Sequence, residues 1–262
     1  MKAKTPFVLK YLQYYFSAQS KHDIHSPFIF DLVTKVFNTD EHLEIFKPIE
    51  QRRNNLLNDR TAINIRDFGA GFSGTVYLKR TISYITKNSS KPKKYARLLY
   101  RLANYFKPKV MLELGTSVGI SAMYQSIGNP QGKLFTIEGC ENTAALAQQT
   151  FKELKAENVF LINDEFEKAV EKIFAEHSSL NFVFIDGNHR KEPTLKYFEC
   201  CLKQSHAKTV FIIDDINWSD EMREAWKEIR NHPQVKITID LFMMGVVFIN
   251  PDFSKENFKI RF

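Results

Sequence analysis

From residue 110 onward, short runs of consecutive apolar residues alternate with stretches whose apolar positions recur every three or four residues. The runs at 110–114, 133–138, 159–163, 181–186 and 208–214 are rich in β-branched and aromatic side chains. Apolar residues on successive positions suit strands covered on both faces, as in a parallel sheet. The segments between them, such as 143–155 and 166–177, read as amphipathic helices. Strand and helix in alternation predict a parallel sheet with helices on both sides. The end of the chain breaks the rhythm. A helix at 220–230 leads to strands at 235–241 and 245–249, and the link between these two is too short for a parallel crossover. They must form an antiparallel hairpin. The predicted fold is a doubly wound, seven-stranded α/β sheet of five parallel strands plus that hairpin, with 258–262 as a candidate edge strand.

The first 90 residues read as helix and loop. Residues 7–16 form an aromatic-rich helix, and Ser26-Pro27 supplies an N-cap and a first-turn proline for a helix to about residue 37. Residues 54–90 are polar and irregular in pattern, and 92–106 is a basic amphipathic helix feeding the first strand. This divides the chain into a mainly helical extension, 1–90, expected to cap the substrate side, and a catalytic domain, 91–262. Neither a repeat nor a low-complexity tract interrupts it.

Composition narrows the function classes. The 262 residues are 44% hydrophobic, ample for a core, and no apolar run approaches the roughly 20 residues of a spanning helix. Lys10 interrupts the apolar start and no small-residue cleavage site follows it, so no signal peptide is expected. Three cysteines, Cys140, Cys200 and Cys201, make no disulfide framework and no zinc site, which points to a reducing cytoplasm. The net charge of +7 is unevenly spread. Residues 1–109 hold 20 Lys+Arg against 8 Asp+Glu, a net of +12, whereas 110–262 hold 17 against 22, a net of −5. Between Phe68 and Leu112 there are ten basic residues and no acidic one. Such a run suits either an anionic partner, RNA included, or a solvated lysine-rich linker.

The chemistry gathers at the carboxyl ends of the predicted strands, where open α/β sheets bind ligands. Those ends carry Glu113, Glu138, Asp164, Asp186 and the pair Asp214-Asp215, at spacings of 25, 26, 22 and 28 residues. A single acid after a strand is often a helix cap, but five in register form a row along one rim. After strand one comes Glu113-Leu114-Gly115-Thr116-Ser117-Val118-Gly119-Ile120-Ser121. Gly115 permits a sharp turn and Gly119 a close backbone approach. A dinucleotide fingerprint would need glycine at 115, 117 and 120, yet 117 is Ser and 120 is Ile, so a pyrophosphate would meet side chains. Glu138 can accept bonds from ribose hydroxyls.

With "LELGTSVGIS", "FTIEG", "FVFIDGNH" and "FIIDDINW" in place, residues 93–250 resemble class I S-adenosylmethionine-dependent methyltransferases, most of all the catechol O-methyltransferase-like branch. The resemblance implies S-adenosylmethionine as cofactor and methyl transfer to an oxygen of a small-molecule acceptor. It implies cofactor contacts from Glu113, Gly115, Thr116, Ser117, Gly119, Ser121, Glu138, Gly139, Asp164 and Asp186. It also implies a divalent cation such as Mg²⁺ on Asp186, Asp214 and Asp215, with Asp186 in the catalytic set. The branch often carries a lysine base three residues past the strand-four acid. Here that position is His189, which becomes the candidate base.

Other features have plainer readings. "IRDFGAG" at 65–71 looks like a second glycine loop, but no strand–acid unit follows it, so a turn or substrate-side loop is favoured. His22 and His25 suit surface or capping roles better than metal binding, and Cys200 and Cys201 suit burial within a helix. Trp218 could wall the site or only pack. RNA methylation, with the basic segment on phosphates, and non-catalytic cofactor binding are the competing function classes. The first lacks a stacking-aromatic motif and the second does not explain the retained acids.

Overall fold

The computed structural model describes residues 6–37, 39, 43–67, 76–176 and 179–262. The N-terminal part builds helices α1 (Phe7–Ser17), α2 (Pro27–Leu32) and α3 (Lys47–Asn58). Helix α2 starts at the proline that the sequence marks. The Ser26 hydroxyl makes no capping bond, and a π-helical turn, Val33–Phe37, prolongs the helix. Residues 54–90 are more regular than their polarity suggests. After α3 come strands β1 (Ala62–Asp67) and β2 (Val76–Thr81), an antiparallel ribbon, and then helix α4 (Ile82–Ser89). Ile63 and Ile65 alternate with polar residues and pack on the main core, while the Thr81 hydroxyl caps α4 by accepting from Tyr84 N at 3.2 Å. Of the second glycine motif, 65–67 closes β1, and 68–71 lie outside the described residues.

Helix α5 (Lys93–Phe106) ends where Lys107 turns left-handed, at φ 45°. The chain then enters the alternating part: β3 (Val110–Leu114), α6 (Ile120–Gly128), β4 (Lys133–Glu138), α7 (Glu141–Glu153), β5 (Val159–Asn163), α8 (Phe166–Glu176), β6 (Leu180–Ile185), α9 (Lys191–Leu202), β7 (Ser205–Asp214) and α10 (Asp220–Asn231). Strands β8 (Ile237–Asp240), β9 (Met244–Phe248) and β10 (Glu256–Lys259) finish it. The sheet has eight strands in the order β10-β8-β9-β7-β6-β3-β4-β5. Strand β9 is antiparallel to both neighbours, β7 and β8, which is the expected hairpin. The candidate edge strand exists as β10, parallel to β8, and makes the sheet eight-stranded rather than seven-stranded.

Strand β3 is the switch point, because the chain runs outward through β4 and β5 and then returns to β6 on the other side. A crevice at the carboxyl ends of β3 and β6 follows from that reversal. Apolar side chains fill both faces of the sheet. One cluster joins Ile29, Leu32, Ile49, Leu56 and Ile85 of the N-terminal segment to Met111, Phe182 and Val246 of the sheet. The other packs Leu112, Val183, Phe211 and Trp226. The N-terminal segment is thus built into one core layer of the sheet. Among the described residues, no helix is long and apolar enough to cross a membrane.

Candidate active site

The turn after β3 is held by backbone. Gly115 N and Thr116 N both donate to Ile137 O of β4, at 3.0 and 3.1 Å. Gly115 has φ 104°, and a Cβ there would stand 2.1 Å from Asp186 O, so only glycine lets the two strand ends approach this closely. Gly119, at φ 85°, opens α6 against the Phe151 ring. Ser117, at φ 48°, aims its N–H at Glu138 Oε2, 2.9 Å away. Cys140 N donates to the other oxygen, Glu138 Oε1, at 2.9 Å. Gly139 N donates to the same carboxylate. Burial raises the Glu138 carboxyl above its usual range, and these backbone donors pull it back. A carboxylate has about four lone-pair sites, so beside these three donors there is room for a ribose hydroxyl.

Three of the predicted cofactor residues lie deeper. Glu113 has no exposed surface, and its oxygens accept from Gln125 Nε2 at 2.8 Å and Thr136 Oγ1 at 2.6 Å. Ser121 also bonds to it. Thr116 is buried with its hydroxyl 2.6 Å from that of Thr136. Glu113, Thr116 and Ser121 therefore form a polar brace beneath the loop. Asp164 sits beyond β5, where it accepts from Glu165 N at 2.8 Å and pairs with Lys172 at 2.7 Å. The bond from Lys172 holds its carboxyl below the usual range.

Asp186, His189, Asp214 and Asp215 meet at the ends of β6 and β7. The His189 ring nitrogens are 3.7 Å from Asp186 Oδ1 and 3.7 Å from Asp215 Oδ2. Burial lowers the His189 pKa and so favours the neutral imidazole, with Asp214 opposing. Burial, reinforced by Asp214, raises the Asp215 carboxyl to about 7. Asp215 is also left-handed, at φ 54°, a conformation that costs on the order of 1 kcal/mol outside glycine.

The sequence reading missed Lys91. Its ammonium lies 2.8 Å from Asp186 Oδ1 and also bonds Asp214 Oδ2. Lys91 is 9% exposed and Asp214 1%. Burial works against the ammonium, but Asp186 and Asp214 more than offset it and hold its pKa well above the ordinary value. Burial likewise carries Asp186 well above the carboxylate range, with Lys91 opposing and Asp214 adding to the rise. The topology could have located this lysine. Helix α5 leads directly into β3, so its N-terminus returns to the rim where the strand ends, and Lys91 precedes Pro92 at that N-terminus. The end of α4 reaches the same rim, where the Ser89 and Ser117 hydroxyls are 2.5 Å apart.

Asp186, His189 and Asp214 present atoms within 4.8 Å of one another, as a metal site would. A divalent ion using Asp186 Oδ1, the oxygen that faces His189, would compete with the ammonium that already bonds it; Asp214 Oδ1 is the oxygen left without a partner. A dication about 3 Å from an ammonium is repelled by on the order of 10 kcal/mol at an effective dielectric near 20. With Lys91 in place, the donor set does not fit a metal.

The remaining candidates are dispersed. Trp218 is 61% exposed, with its ring 6.2 Å from that of Phe7 in α1. His25 is exposed, and the His22 side chain lies outside the described residues. Cys201 is buried and Cys200 partly so.

Residues 112–216 match the family described as "methyltransferase domain". No curated protein matches the sequence. Solved structures do. An O-methyltransferase from Bacillus cereus in complex with SAH is 18% identical, with a TM-score of 0.56 over 84% of this chain and 96% of that one. The O-methyltransferase TomG from Streptomyces achromogenes, involved in tomaymycin synthesis and in complex with SAM, is 16% identical, with a TM-score of 0.59 over 84% and 95%. A SAH-bound methyltransferase from Podospora anserina is also 16% identical, with a TM-score of 0.54 over 62% and 80%. From Leu112 to Ile216 this chain matches the methyltransferase domain model, and the sheet around that stretch has the fold of the O-methyltransferases it resembles.

Proposed function

We propose that this chain is an S-adenosylmethionine-dependent O-methyltransferase with a small-molecule acceptor. The observation that carries the reading is Glu138 facing the glycine loop, with Ser117 N on one of its oxygens and Cys140 N on the other. When bound, S-adenosylmethionine supplies a methyl group on a sulfonium. The 115–119 loop would hold the amino-acid end, the remaining lone pair of Glu138 a ribose hydroxyl, and Asp164 the adenine side. His189 would take the proton from the acceptor hydroxyl, because a neutral imidazole is the form that can accept it. In-line positioning and the exclusion of water would supply the rest of the acceleration. Helix α1 would border the acceptor side; its Phe7 ring is 5.1 Å from that of Phe242.

Calorimetry tests the reading. S-adenosylmethionine should bind, Glu138→Ala should weaken it by about tenfold or more, equivalent to one or two charge-assisted bonds, and NAD should not bind. Wild-type protein that binds NAD and not S-adenosylmethionine would overturn it. RNA as acceptor finds no support in the placement of the basic segment.

A further inference from the structure

We propose that Lys91 is the resident cation of this site, standing in the place a divalent metal would take between Asp186 and Asp214. The inference rests on the methyltransferase reading for its function, but not for its geometry. A metal drawing on Asp186 Oδ1, the oxygen that faces His189, would compete with the ammonium, which bonds that oxygen at 2.8 Å and Asp214 Oδ2 as well; Asp214 Oδ1, buried without a partner, is the oxygen left over. Two buried acids side by side need a positive charge nearby, and a buried ammonium needs acids, so each satisfies the other.

The lysine is not free to step aside. It is 9% exposed, and Pro92 restricts its backbone. Its carbonyl accepts from Arg53 Nη1 at 2.7 Å, and Arg53 is itself buried and paired with Glu50 at 3.0 Å. The N-terminal segment therefore delivers a fixed positive charge into the rim of the catalytic sheet. Lys91 acts through the two carboxylates and His189 beside them, which makes it a positioning residue. Its presence also defines what its removal would expose: Asp186, His189 and Asp214, already within 4.8 Å of one another.

The experiment is a Mn²⁺ titration followed by electron paramagnetic resonance, on the wild type, Lys91→Met and Asp214→Asn, with S-adenosylmethionine binding measured on the same samples. Wild type and Asp214→Asn should take up no stoichiometric Mn²⁺ at about 1 mM, a level ample for a hard oxygen site. Lys91→Met should gain one equivalent. Wild-type protein that binds one equivalent, lost in Asp214→Asn, overturns the proposal, and this comparison decides even if Lys91→Met does not fold. A folded Lys91→Met that binds no Mn²⁺ also overturns it, because the lysine would then not occupy a cation's place. Wild type that binds S-adenosylmethionine and Mn²⁺ together refutes only the lysine assignment, whereas failure to bind S-adenosylmethionine refutes the functional reading.

Discussion

Glu113 is sealed from water, and its two oxygens meet Gln125 and Thr136. Burial raises its carboxyl from 4.5 to about 7 against the pull of those donors. Between these two pH values the folded chain keeps a proton that the unfolded chain has released. The folded state is the one binding more protons, so stability must fall as pH rises through that window. The contribution is fully present below about pH 4.5 and is lost above about pH 7, a change of about 3 kcal/mol. Glu113→Gln cannot titrate. Urea unfolding at pH 5 and pH 8 should therefore show a larger loss for the wild type than for the variant, and equal losses would refute the assignment. The sequence shows Glu113 as one of five acids in register, but not its separate role. It stands one residue before the end of β3, and neighbouring residues of a strand face opposite sides. Its side chain therefore turns inward beneath α6 while the turn at Gly115 forms the rim. Lys91 was illegible for another reason. It belongs to no motif, and its meaning comes from acids that lie 95 and more residues away in the chain.

The inner strands of the catalytic half were legible because both of their faces are buried, which makes apolar runs with sharp ends, and the half-exposed edge strand β5 still carries such a run. Strands β3, β4 and β5 fall where the pattern puts them. The ribbon of β1 and β2 was not legible, since only one of its faces meets the core and its alternation is short. Helix α3 shows what such a polar segment can do. Arg53 is buried, bonds Glu50 with its Nε, and bonds the Lys91 carbonyl with its Nη1. It ties α3 to the start of α5 and fixes the turn that carries Lys91. Glu50 also accepts from the fully buried Tyr124 at 2.7 Å and pairs with Lys93 at 3.1 Å, so it would keep both partners if Arg53 were lost. Arg53→Met should cost about 2 kcal/mol, in line with losing charge-assisted hydrogen bonds while Glu50 keeps its other partners. Chemical denaturation measures it, and a loss under about 0.5 kcal/mol, the range of ordinary surface substitutions, would mean that the pair is not a brace.

Part of the charge asymmetry of the chain, +12 before residue 110 and −5 after it, is met by the protein's own groups. Lys91 neutralises the rim acids, and Lys93 pairs with Glu50. Lys94 stands 4.3 Å over the Phe262 ring, and the Arg97 guanidinium 5.6 Å over that of Phe46. Arg101 donates to Phe37 O at 3.2 Å. These side chains join α5 to the N-terminal segment, the C-terminus and the site, so they do not form a track spaced for phosphates. A nucleic-acid surface draws its affinity from cations that release counterions on contact, and cations already bound to their own protein release few. RNA binding should therefore be weaker than about 1 μM near 0.15 M salt, a level ordinary for non-specific contacts. Lys93→Gln with Lys94→Gln should change any residual binding by no more than about twofold. Fluorescence anisotropy with a labelled single-stranded RNA, repeated at several salt concentrations, measures both. Sub-micromolar binding that falls steeply with salt and is lost in the double variant would return RNA to the list of acceptors.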